Sequence, residues 1–361
     1  MSSPTLTTLP DRKYRNRVRL ALPSKGRMEN ETLALLHSCG LTINKVNPRQ
    51  YIAQISELPN LELWFQRSAD VVRKVRDGDT DLGIVGFDKV AEYRGYGGEV
   101  VIIHEALGYG QCRLAVAVPE DWTDIDSIGD LSQLAQARDG NRPLRVVSKY
   151  PRLAESYLDT HQIKPHRILH ADGALEAAPQ MDTADFIVDL VSSGVTLREN
   201  RLKEIDGGEL LHSQAMFIGN RAALTEQPQV LAVCQDLLER FEAHLRAVEH
   251  QTVIANIRGY SPDDVATKVF SQSELSGLQG PTISRVYIRD ATDTNWYAIS
   301  LVVHKDRLHQ AIEQLREIGG SGVLVLPVTY IFEEEPLRWK KLLSNLQLKE
   351  GAGRDPDLSS L

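Results

Sequence analysis

The stretch from residue 184 to residue 197 constrains the fold more than any other part of the chain. It begins with the short apolar run 186–188, which suits a buried parallel strand. An acid, Asp189, then two serines, a glycine and a threonine follow, and helix-forming residues begin at Leu197. A strand, a loop of small residues and a helix gather backbone N–H groups where they can bind phosphate. The segment therefore predicts an α/β domain with a phosphate site at the end of a strand.

The acid in this stretch limits the chemical classes of ligand that the loop could bind. Asp189 would repel phosphate, but its carboxylate suits sugar hydroxyls or a cation bound beside the phosphate. An acid next to a phosphate loop therefore indicates a phosphorylated sugar. The same residues could also form an ordinary turn that caps a helix. The rest of the chain has to decide between these two interpretations.

Composition excludes several classes of protein. The chain has 361 residues, 42% of them hydrophobic and 25% charged, which predicts a soluble protein of two or three domains. The net charge of −8 argues against nucleic-acid binding, and no apolar run is long enough to span a membrane. The three cysteines lie far apart, which argues against a zinc site and fits a reducing compartment.

The first sixteen residues are polar and lack the apolar core of a signal peptide. We therefore expect a cytoplasmic protein. The serines and threonines of this segment leave a plastid stroma as the alternative, with the segment as the remnant of a transit peptide. Residues 1–16 and 348–361 are expected to be flexible tails.

Charged and small residues also follow other predicted strands. Ligands of α/β sheets gather outside the carboxyl ends of strands, and two positive charges at such an end suit a polyphosphate or nucleotide. Lys25 is not in a Walker A setting, and a solvated turn is the alternative there. The residues that meet at these ends are Ser24, Lys25, Gly26, Arg27, Arg67, Asp88 and Lys149.

Alternating strands and helices predict two α/β lobes with mainly parallel sheets and a cleft between them. Crossings near residues 108 and 208 would divide the chain into a first domain, 17–108 with 209–248, and a second domain, 109–208. Glu176 lies shortly before the opening stretch, so we expect its carboxylate near Asp189, where it would bind ribose or Mg²⁺. A helix-start carboxylate is the alternative for Glu176.

The last hundred residues have a different character. Residues 250–347 follow the order β-α-β-β-α-β, which is the ferredoxin-like split unit. Because this segment contains no cluster of acids or nucleophiles, it predicts a regulatory rather than a catalytic domain.

These motifs resemble those of a known family. Glu-Ala-Ala-Pro at 176–179, Ala-Asp at 184–185 and the run 189–197 are similar to the phosphoribosyl-diphosphate signature of the ATP phosphoribosyltransferases, which perform the first step of histidine biosynthesis. The similarity extends to residues 22–27, 81–88 and 112–114 and spans residues 17 to 346. Residues 277–284 and 319–322 resemble the regulatory domain of the family's long form, closest to its plant-type branch.

The resemblance implies a fold and a reaction. The fold would be a two-lobed catalytic core like that of periplasmic binding proteins, followed by an ACT-like domain. N1 of the ATP adenine would attack C1′ of phosphoribosyl diphosphate, releasing pyrophosphate, with Mg²⁺ as cofactor. The chain would be a homo-oligomer, either a hexamer or a dimer.

The resemblance also implies roles for individual residues. Asp189, Glu176 and Lys25 would be the catalytic residues, with Asp189 and Glu176 binding ribose hydroxyls directly or through Mg²⁺. The residues expected to bind ATP are Ser24, Lys25, Gly26, Arg27, Arg67, Asp88 and Lys149, and the cations among them would face its phosphates and the diphosphate. The residues expected to bind the 5-phosphate are Ser192, Ser193, Gly194, Val195 and Thr196.

Histidine would be a feedback inhibitor bound to the C-terminal domain, at Leu278, Thr282, Gly320 and Ser321. These four could instead be only turn residues of a packing domain. One position departs from the signature, because Asp182 stands where glycine is usual. Asp182 would either alter the loop before the strand or use aspartate's tolerance of a positive φ. Because Asp189, Gly194 and Thr196 are intact, we expect activity to be kept.

Two other functions remain open from the sequence. A two-lobed solute-binding protein would bind and close without chemistry, although the absence of a signal peptide and the acid in the phosphate loop argue against it. A phosphoribosyltransferase that uses another base is the third possibility.

Overall fold

A computed structural model describes residues 16–45, 47, 49–138, 142–171, 173–287 and 295–348 of the chain. The described residues divide into two units. The first contains the residues up to Leu238 together with those from Arg338 onward, and the second contains Glu239–Leu337. The predicted flexible tails, 1–16 and 348–361, lie outside the described residues except for Asn16 and Leu348.

The first sheet of the first unit, with its helices, is called lobe I below. Its strands are β1 (Val18–Pro23), β2 (Ile43–Asn44), β3 (Ile52–Ile55), β4 (Leu61–Gln66), β5 (Leu82–Gly86), β6 (Val100–His104) and β12 (Ala215–Asn220), in the order β2-β3-β4-β1-β5-β12-β6. Its helices are α1 (Gly26–Ser38), α2 (Ser68–Arg76), α3 (Phe87–Tyr93) and α7 (Arg221–Glu226).

The second sheet of this unit, with its helices, is called lobe II. Its strands are β7 (Cys112–Pro119), β8 (Leu144–Ser148), β9 (His166–His170), β10 (Phe186–Val191) and β11 (Leu202–Ser213), in the order β11-β7-β10-β8-β9. Its helices are α4 (Ile128–Ala137), α5 (Pro151–Thr160) and α6 (Val195–Glu199).

Apolar strands with buried side chains form the core of lobe I. All five residues of β5 are buried, and Val71, Val72 and Val75 on one face of α2 are buried as well. Gly83 in β5 allows this helix to approach closely, since a Cβ atom there would lie 2.9 Å from Val71 Cγ1. The packed strand and helix hold the end of β5, where the site begins, in a fixed position.

The prediction of mainly parallel sheets is wrong. Strand β1 is parallel to β4 and β5, and β8 is parallel to β9 and β10. The other pairings of these two sheets are antiparallel. Strands β7 and β12, which follow the two crossings, run opposite to their neighbours. Strands β2, β3 and β4 pair antiparallel with one another in chain order. The two-lobed α/β core itself is confirmed.

The second crossing lies later than predicted. We expected the chain to return to the first lobe at residue 209. Residues 209–213 instead continue β11 and pair with Cys112–Ala115 of β7, so the return occurs at Gln214. Strand β12 then enters the sheet of lobe I between β5 and β6.

The second unit contains one antiparallel sheet. Its elements are β13 (His250–Arg258), α9 (Pro262–Phe270), β14 (Thr282–Arg285), β15 (Trp296–His304), α10 (Leu308–Glu317) and β16 (Ser321–Pro327). The strand order β14-β15-β13-β16 and the antiparallel pairings are those of the ferredoxin-like split unit. The predicted βαββαβ domain is therefore confirmed.

The predicted end of that domain, residue 347, needs correction. Helix α11 (Leu337–Leu346) belongs to the first unit from Arg338 onward. Arg338 pairs with Glu105 at 2.9 Å, and Arg221 Nη1 donates to the Asn345 carbonyl oxygen at 2.9 Å. Buried Trp339 and Leu343 add apolar contact area. The other boundary between the units, between Leu238 and Glu239, lies within helix α8 (Pro228–Val248).

Within the described part of the chain, no helix has the length and apolar character needed to cross a membrane.

We expect His104 to make lobe I sensitive to acid. It is 2% exposed at the end of β6, and burial, with Arg338 nearby, lowers its pKa from 6.5 to about 4. Between these values the unfolded chain binds a proton that the folded chain does not, so stability falls as the pH falls through 6.5. At pH 5 the loss would be about 2 kcal/mol.

His104→Asn should remove this loss and keep an acceptor for the Ala106 N–H, which His104 Nδ1 accepts at 3.1 Å. The measurement is urea unfolding of both proteins at pH 7 and pH 5. The same pH dependence in the variant and the wild type would contradict the assignment.

Candidate functional site

The predicted cations of lobe I lie at neighbouring strand ends. Strands β1 and β4 are parallel, and Pro23 pairs with Gln66. Lys25 and Arg67 follow these residues and start α1 and α2, with exposed side chains at the same edge of the sheet. Gly26, with φ of +72°, makes the turn from β1 into α1. The structure therefore brings these two predicted residues to one face.

The opening stretch forms the predicted strand, loop and helix. Strand β10 ends at Val191, Gly194 precedes α6, and Ser192, Ser193 and Thr196 are exposed. Gly194 has φ of +72°, and a Cβ atom there would lie 3.1 Å from an Arg198 guanidinium nitrogen. Glycine is therefore favoured here by the backbone conformation, since the guanidinium is the flexible end of a side chain and can move.

One contact joins this loop to lobe I. Arg27 Nη1 lies 3.5 Å from Ser192 Oγ, while its Nε donates to Glu31 Oε1 at 2.8 Å. Arg27 is largely exposed. Its positive charge therefore lies beside the loop of Ser192, where a bound anion could replace Glu31 as its partner.

Asp189 is buried next to Lys149. Its side chain is 11% exposed, and its Oδ2 lies 3.7 Å from Lys149 Nζ, since β8 and β10 are parallel neighbours. Burial raises the pKa of Asp189 above its usual value; Glu176 raises this pKa too, while Lys149 and Lys89 lower it. The predicted proximity of Glu176 and Asp189 agrees with this electrostatic coupling.

Asp88 has a different environment from the one predicted. It is 5% exposed, and its Oδ2 accepts a hydrogen bond from Tyr150 Oη at 2.6 Å. Its Oδ1 accepts one from Ser213 Oγ at 2.8 Å. Tyr150 and Ser213 belong to lobe II, so these bonds connect the two lobes. The geometry gives Asp88 a place in the junction between lobes rather than a free carboxylate for ATP.

Sequence reasoning missed Lys89. Its side chain is 16% exposed, with Nζ 3.8 Å from the centre of the Tyr150 ring and 4.0 Å from Asp88 Oδ2. Burial lowers the pKa of Lys89, partly offset by the charges of Asp88 and Asp189. In the sequence, Lys89 directly follows Asp88, an acid at the end of a predicted strand, and this position was the signal that could have identified it. The Tyr150 ring that orients it comes from lobe II and gives no local pattern.

Helix α3 also fastens the lobes together through Glu92. Its buried carboxylate accepts the backbone N–H groups of Arg152 and Leu153, each at 3.0 Å. These N–H groups lie in the first turn of α5, where a negative charge is stabilising. Helix α5 begins two residues after Lys149. The junction therefore fixes Lys149 relative to lobe I.

A pocket of about 310 Å³ lies where the chain crosses between lobes. Both crossing segments line it, and Ser192 of the phosphate loop reaches it. Its lining residues are Phe87, Gln111, Cys112, Arg113, Ser192, His212, Ser213, Gln214 and Met216. The predicted cleft therefore exists, with the phosphate loop at its edge.

Asp182, the departure from the family signature, adopts the left-handed conformation that favours glycine. Its φ is +53°, and its Oδ1 pairs with Arg145 Nη2 at 2.6 Å. Arg145 also donates to the Asp182 carbonyl oxygen at 2.6 Å. The Arg145 contacts stabilise the turn and hold Asp182 in a backbone conformation that glycine adopts readily.

The four residues predicted to bind histidine do not come together within one domain. Leu278 and Thr282 lie at the β14 edge of the sheet, whereas Gly320 and Ser321 lie at the β16 edge. Three strand spacings, about 14 Å, separate these edges. Thr282 and Ser321 are exposed.

Comparison with known proteins gives the family. The model described as HisG, ATP phosphoribosyltransferase, matches residues 67–243, and the model described as HisG, C-terminal domain, matches residues 247–330. ATP phosphoribosyltransferase 2, chloroplastic, of Arabidopsis thaliana is 52% identical over 338 residues, which cover 92% of this chain and 82% of the relative.

Two further relatives agree. ATP phosphoribosyltransferase 1, chloroplastic, of the same plant is 49% identical and covers 92% of this chain and 82% of its own length. The ATP phosphoribosyltransferase of Rhodopseudomonas palustris (strain BisB18) is 30% identical over 331 residues, which cover 91% of this chain and 98% of the relative. With these matches over most of its length, the two-lobed core and the ferredoxin-like domain, the chain belongs to the ATP phosphoribosyltransferase family.

Proposed function

We propose that the protein transfers the phosphoribosyl group of phosphoribosyl diphosphate to N1 of ATP, the first step of histidine biosynthesis. The observation that carries this proposal is Asp189, buried beside Lys149 at the start of the loop Ser192–Thr196. In the reaction, the bond from C1′ to the diphosphate oxygen breaks and a bond from C1′ to N1 forms. Phosphoribosyl-ATP and pyrophosphate are the products.

The chemistry requires charge stabilisation rather than a protein nucleophile. The lone pair of N1 is already available, so no general base is needed for attack. Positive charge develops on the ribose and negative charge on the leaving diphosphate. Fixed charges in a partly buried cleft stabilise both, because little reorganisation is needed when the reaction occurs.

We assign the 5-phosphate to the exposed loop that Gly194 shapes, with Ser192, Ser193 and Thr196 as hydroxyl donors. Asp189 and Glu176 would hold the ribose hydroxyls. Lys149 and Lys89, which both act electrostatically on Asp189, would face the diphosphate. Lys25, Arg27 and Arg67 at the lobe I edge would meet the phosphates of ATP.

Mg²⁺ fits the donors at this site. Glu176 and Asp189 are hard carboxylate ligands of the kind Mg²⁺ takes, and burial, with a smaller contribution from repulsion by Glu176, raises the pKa of Asp189. A cation between them would relieve that repulsion. When bound, Mg²⁺ would neutralise charge on the diphosphate, with substrate oxygens completing its coordination.

The test is an assay for pyrophosphate release that requires ATP, phosphoribosyl diphosphate and Mg²⁺ together. Product formation with ATP supports the proposal. Release with another base in place of ATP would identify a different phosphoribosyltransferase. Ligand binding without any pyrophosphate release would leave the solute-binding function instead.

We propose that histidine inhibits the reaction through the second unit. Because the two edges lie about 14 Å apart in one chain, Thr282→Lys and Ser321→Lys are tested separately. The variant at the edge that binds histidine should raise the histidine concentration for half inhibition by about tenfold or more, since it adds a positive charge that repels the histidine ammonium group. Both side chains are exposed, so the uninhibited rate should not change. The measurement is the inhibition curve of each variant.

Thr267→Lys, at an exposed position on α9 of the same unit, is the matched control and should leave inhibition unchanged. Point variants are preferable to removal of the C-terminal segment, since that segment includes α11 of the first unit. If both Thr282→Lys and Ser321→Lys were inhibited like the wild type, neither position would belong to the histidine site.

The assembly and location of the protein are also proposals. We infer a homo-oligomer, a hexamer or a dimer, from the family resemblance, and sedimentation measurements decide between these sizes. The cytoplasmic location remains a prediction with plastid stroma as the alternative. The names of the two Arabidopsis relatives, both chloroplastic, favour the plastid.

A further inference from the structure

A histidine and two carboxylates converge on the outer side of lobe II, away from the cleft. Glu155 and Asp159 are one turn apart on α5, and His166 is the first residue of β9. One potential ligand atom from each residue lies within 4.8 Å of the others. Lys149 and the loop of Asp189 follow the opposite, carboxyl ends of the strands, so this cluster is separate from the proposed substrate site.

The ring of His166 is buried and its orientation is fixed. The side chain is 5% exposed, and Nδ1 lies 2.7 Å from the Ile163 carbonyl oxygen. Because a carbonyl can only accept, Nδ1 carries the proton of the neutral ring. Nε2 is then an acceptor, yet it faces Glu155 Oε2 at 3.5 Å. Two acceptors directed at each other are stabilised by a positive charge between them, which either a proton on Nε2 or a metal ion supplies.

His304 in the second unit shows the contrasting arrangement. It also has two carboxylates nearby, with Glu249 Oε2 3.9 Å from Nε2 and Asp306 Oδ2 3.6 Å from Nδ1. Its Nδ1 accepts the Asp306 backbone N–H at 3.3 Å, so Nε2 of the neutral ring carries the proton. This Nε2 can donate to Glu249, and no cation is needed. The difference lies in which nitrogen the backbone engages.

We propose that Glu155, Asp159 and His166 form a site for a transition-metal dication, with zinc as the best match. A neutral imidazole nitrogen and two carboxylates are three of the four ligands that Zn²⁺ takes, and water would supply the fourth. Neighbouring ligand atoms around tetrahedral zinc are about 3.3 Å apart, close to the distance between His166 Nε2 and Glu155. The backbone bond at Nδ1 fixes the ring as outer partners of metal-bound histidines do.

The remaining ligands can adjust to a metal ion. Glu155 and Asp159 are 57% and 44% exposed, so their carboxylates can move toward the ring at little cost. Lys164 Nζ lies 3.1 Å from Asp159 Oδ1, but it is 61% exposed. A surface ion pair of this kind contributes little and can open. The bound metal would fasten α5, which begins next to Lys149, to β9.

Titration of the metal-free full-length protein with Co²⁺, without substrates, tests the proposal. The wild type should bind one Co²⁺ with the absorption of a four-coordinate ion, and Zn²⁺ should displace it. Affinity should fall at least about tenfold in His166→Gln and in Glu155→Gln. Zn²⁺ should raise the melting temperature of the wild type but not of Glu155→Gln.

The controls separate this site from other sources of binding. His304→Gln removes a histidine with two nearby carboxylates and should keep the Co²⁺ spectrum. The double variant Glu176→Gln/Asp189→Asn removes the acids of the proposed substrate site and should keep it too. Glu155 is exposed, so its variant should fold even if His166→Gln does not. No saturable Co²⁺ binding by the wild type, or wild-type affinity in Glu155→Gln, would overturn the proposal.

Discussion

Asp189→Asn should lower kcat/KM for phosphoribosyl diphosphate by about 10²–10³-fold, the effect typical of removing one fixed group that stabilises charge in a transition state. The amide has the size of the carboxylate, so the buried site would stay filled. It lacks the negative charge that would balance the developing positive charge on the ribose, directly or through Mg²⁺. Steady-state kinetics with each substrate varied in turn measures the loss.

The same substitution should not destabilise the protein. Burial raises the pKa of Asp189 above its unfolded value, despite the attraction of Lys149. The folded protein therefore holds a proton on this group more readily than the unfolded chain does. Ionisation at neutral pH consequently opposes folding, and stability falls as the pH rises from the unfolded pKa through the higher folded pKa of this group. A neutral amide removes that cost, so the melting temperature should equal or exceed that of the wild type.

Asp126→Asn is the matched control. Asp126 also pairs with a lysine of lobe II, Lys203 at 2.6 Å, but it is 77% exposed and lies outside the cleft. Its replacement should leave kcat/KM unchanged. Near-wild-type kinetics in Asp189→Asn would refute the role of Asp189 at the ribose, and a large drop in its melting temperature would refute the stability argument.

Lys89→Met should raise KM for phosphoribosyl diphosphate by about 10- to 100-fold, the range expected when one hydrogen bond to a charged group is lost. Methionine is close to lysine in length and apolar, so it can remain against the Tyr150 ring. Folding should be preserved, because burial already disfavours the charged ammonium. Initial rates with phosphoribosyl diphosphate varied at saturating ATP, and the converse, give the two KM values.

Lys89→Arg keeps the charge and should recover part of the affinity for phosphoribosyl diphosphate. Lys203→Met removes a lysine that pairs with a carboxylate outside the cleft and should change neither KM value. If Lys89→Met and Lys203→Met had the same kinetics, Lys89 would have only a packing role against Tyr150.

Much of the site could be predicted because its residues follow strands directly. Lys25, Arg67, Lys149 and Asp189 each come immediately after or within a short apolar run, and carboxyl ends of parallel neighbours meet at one edge. Local sequence is sufficient for such positions. For Asp182 the sequence left open a changed loop or a positive φ, and the structure gives this residue a φ of +53°.

The environment of Asp88 could not be predicted. Its partners Tyr150 and Ser213 lie 62 and 125 residues away in the chain. The same applies to Glu92, whose carboxylate caps a helix of the other lobe. No local pattern encodes these pairs, since they depend on how α3 meets α5 and β11. The direction of the crossing strands and the separation of Thr282 from Ser321 are likewise set by sheet order.

The sequence by itself determined the α/β lobes, the ferredoxin-like unit and the small-residue loop after β10, because hydrophobic period and small-residue loops are local signals. Only the tertiary structure decided that Asp88 joins the lobes and that Lys89 lies buried over Tyr150. It also decided the place of α11 in the first unit. Burial and long-range contacts determine which strand-end charges remain free for a ligand and which hold the protein together.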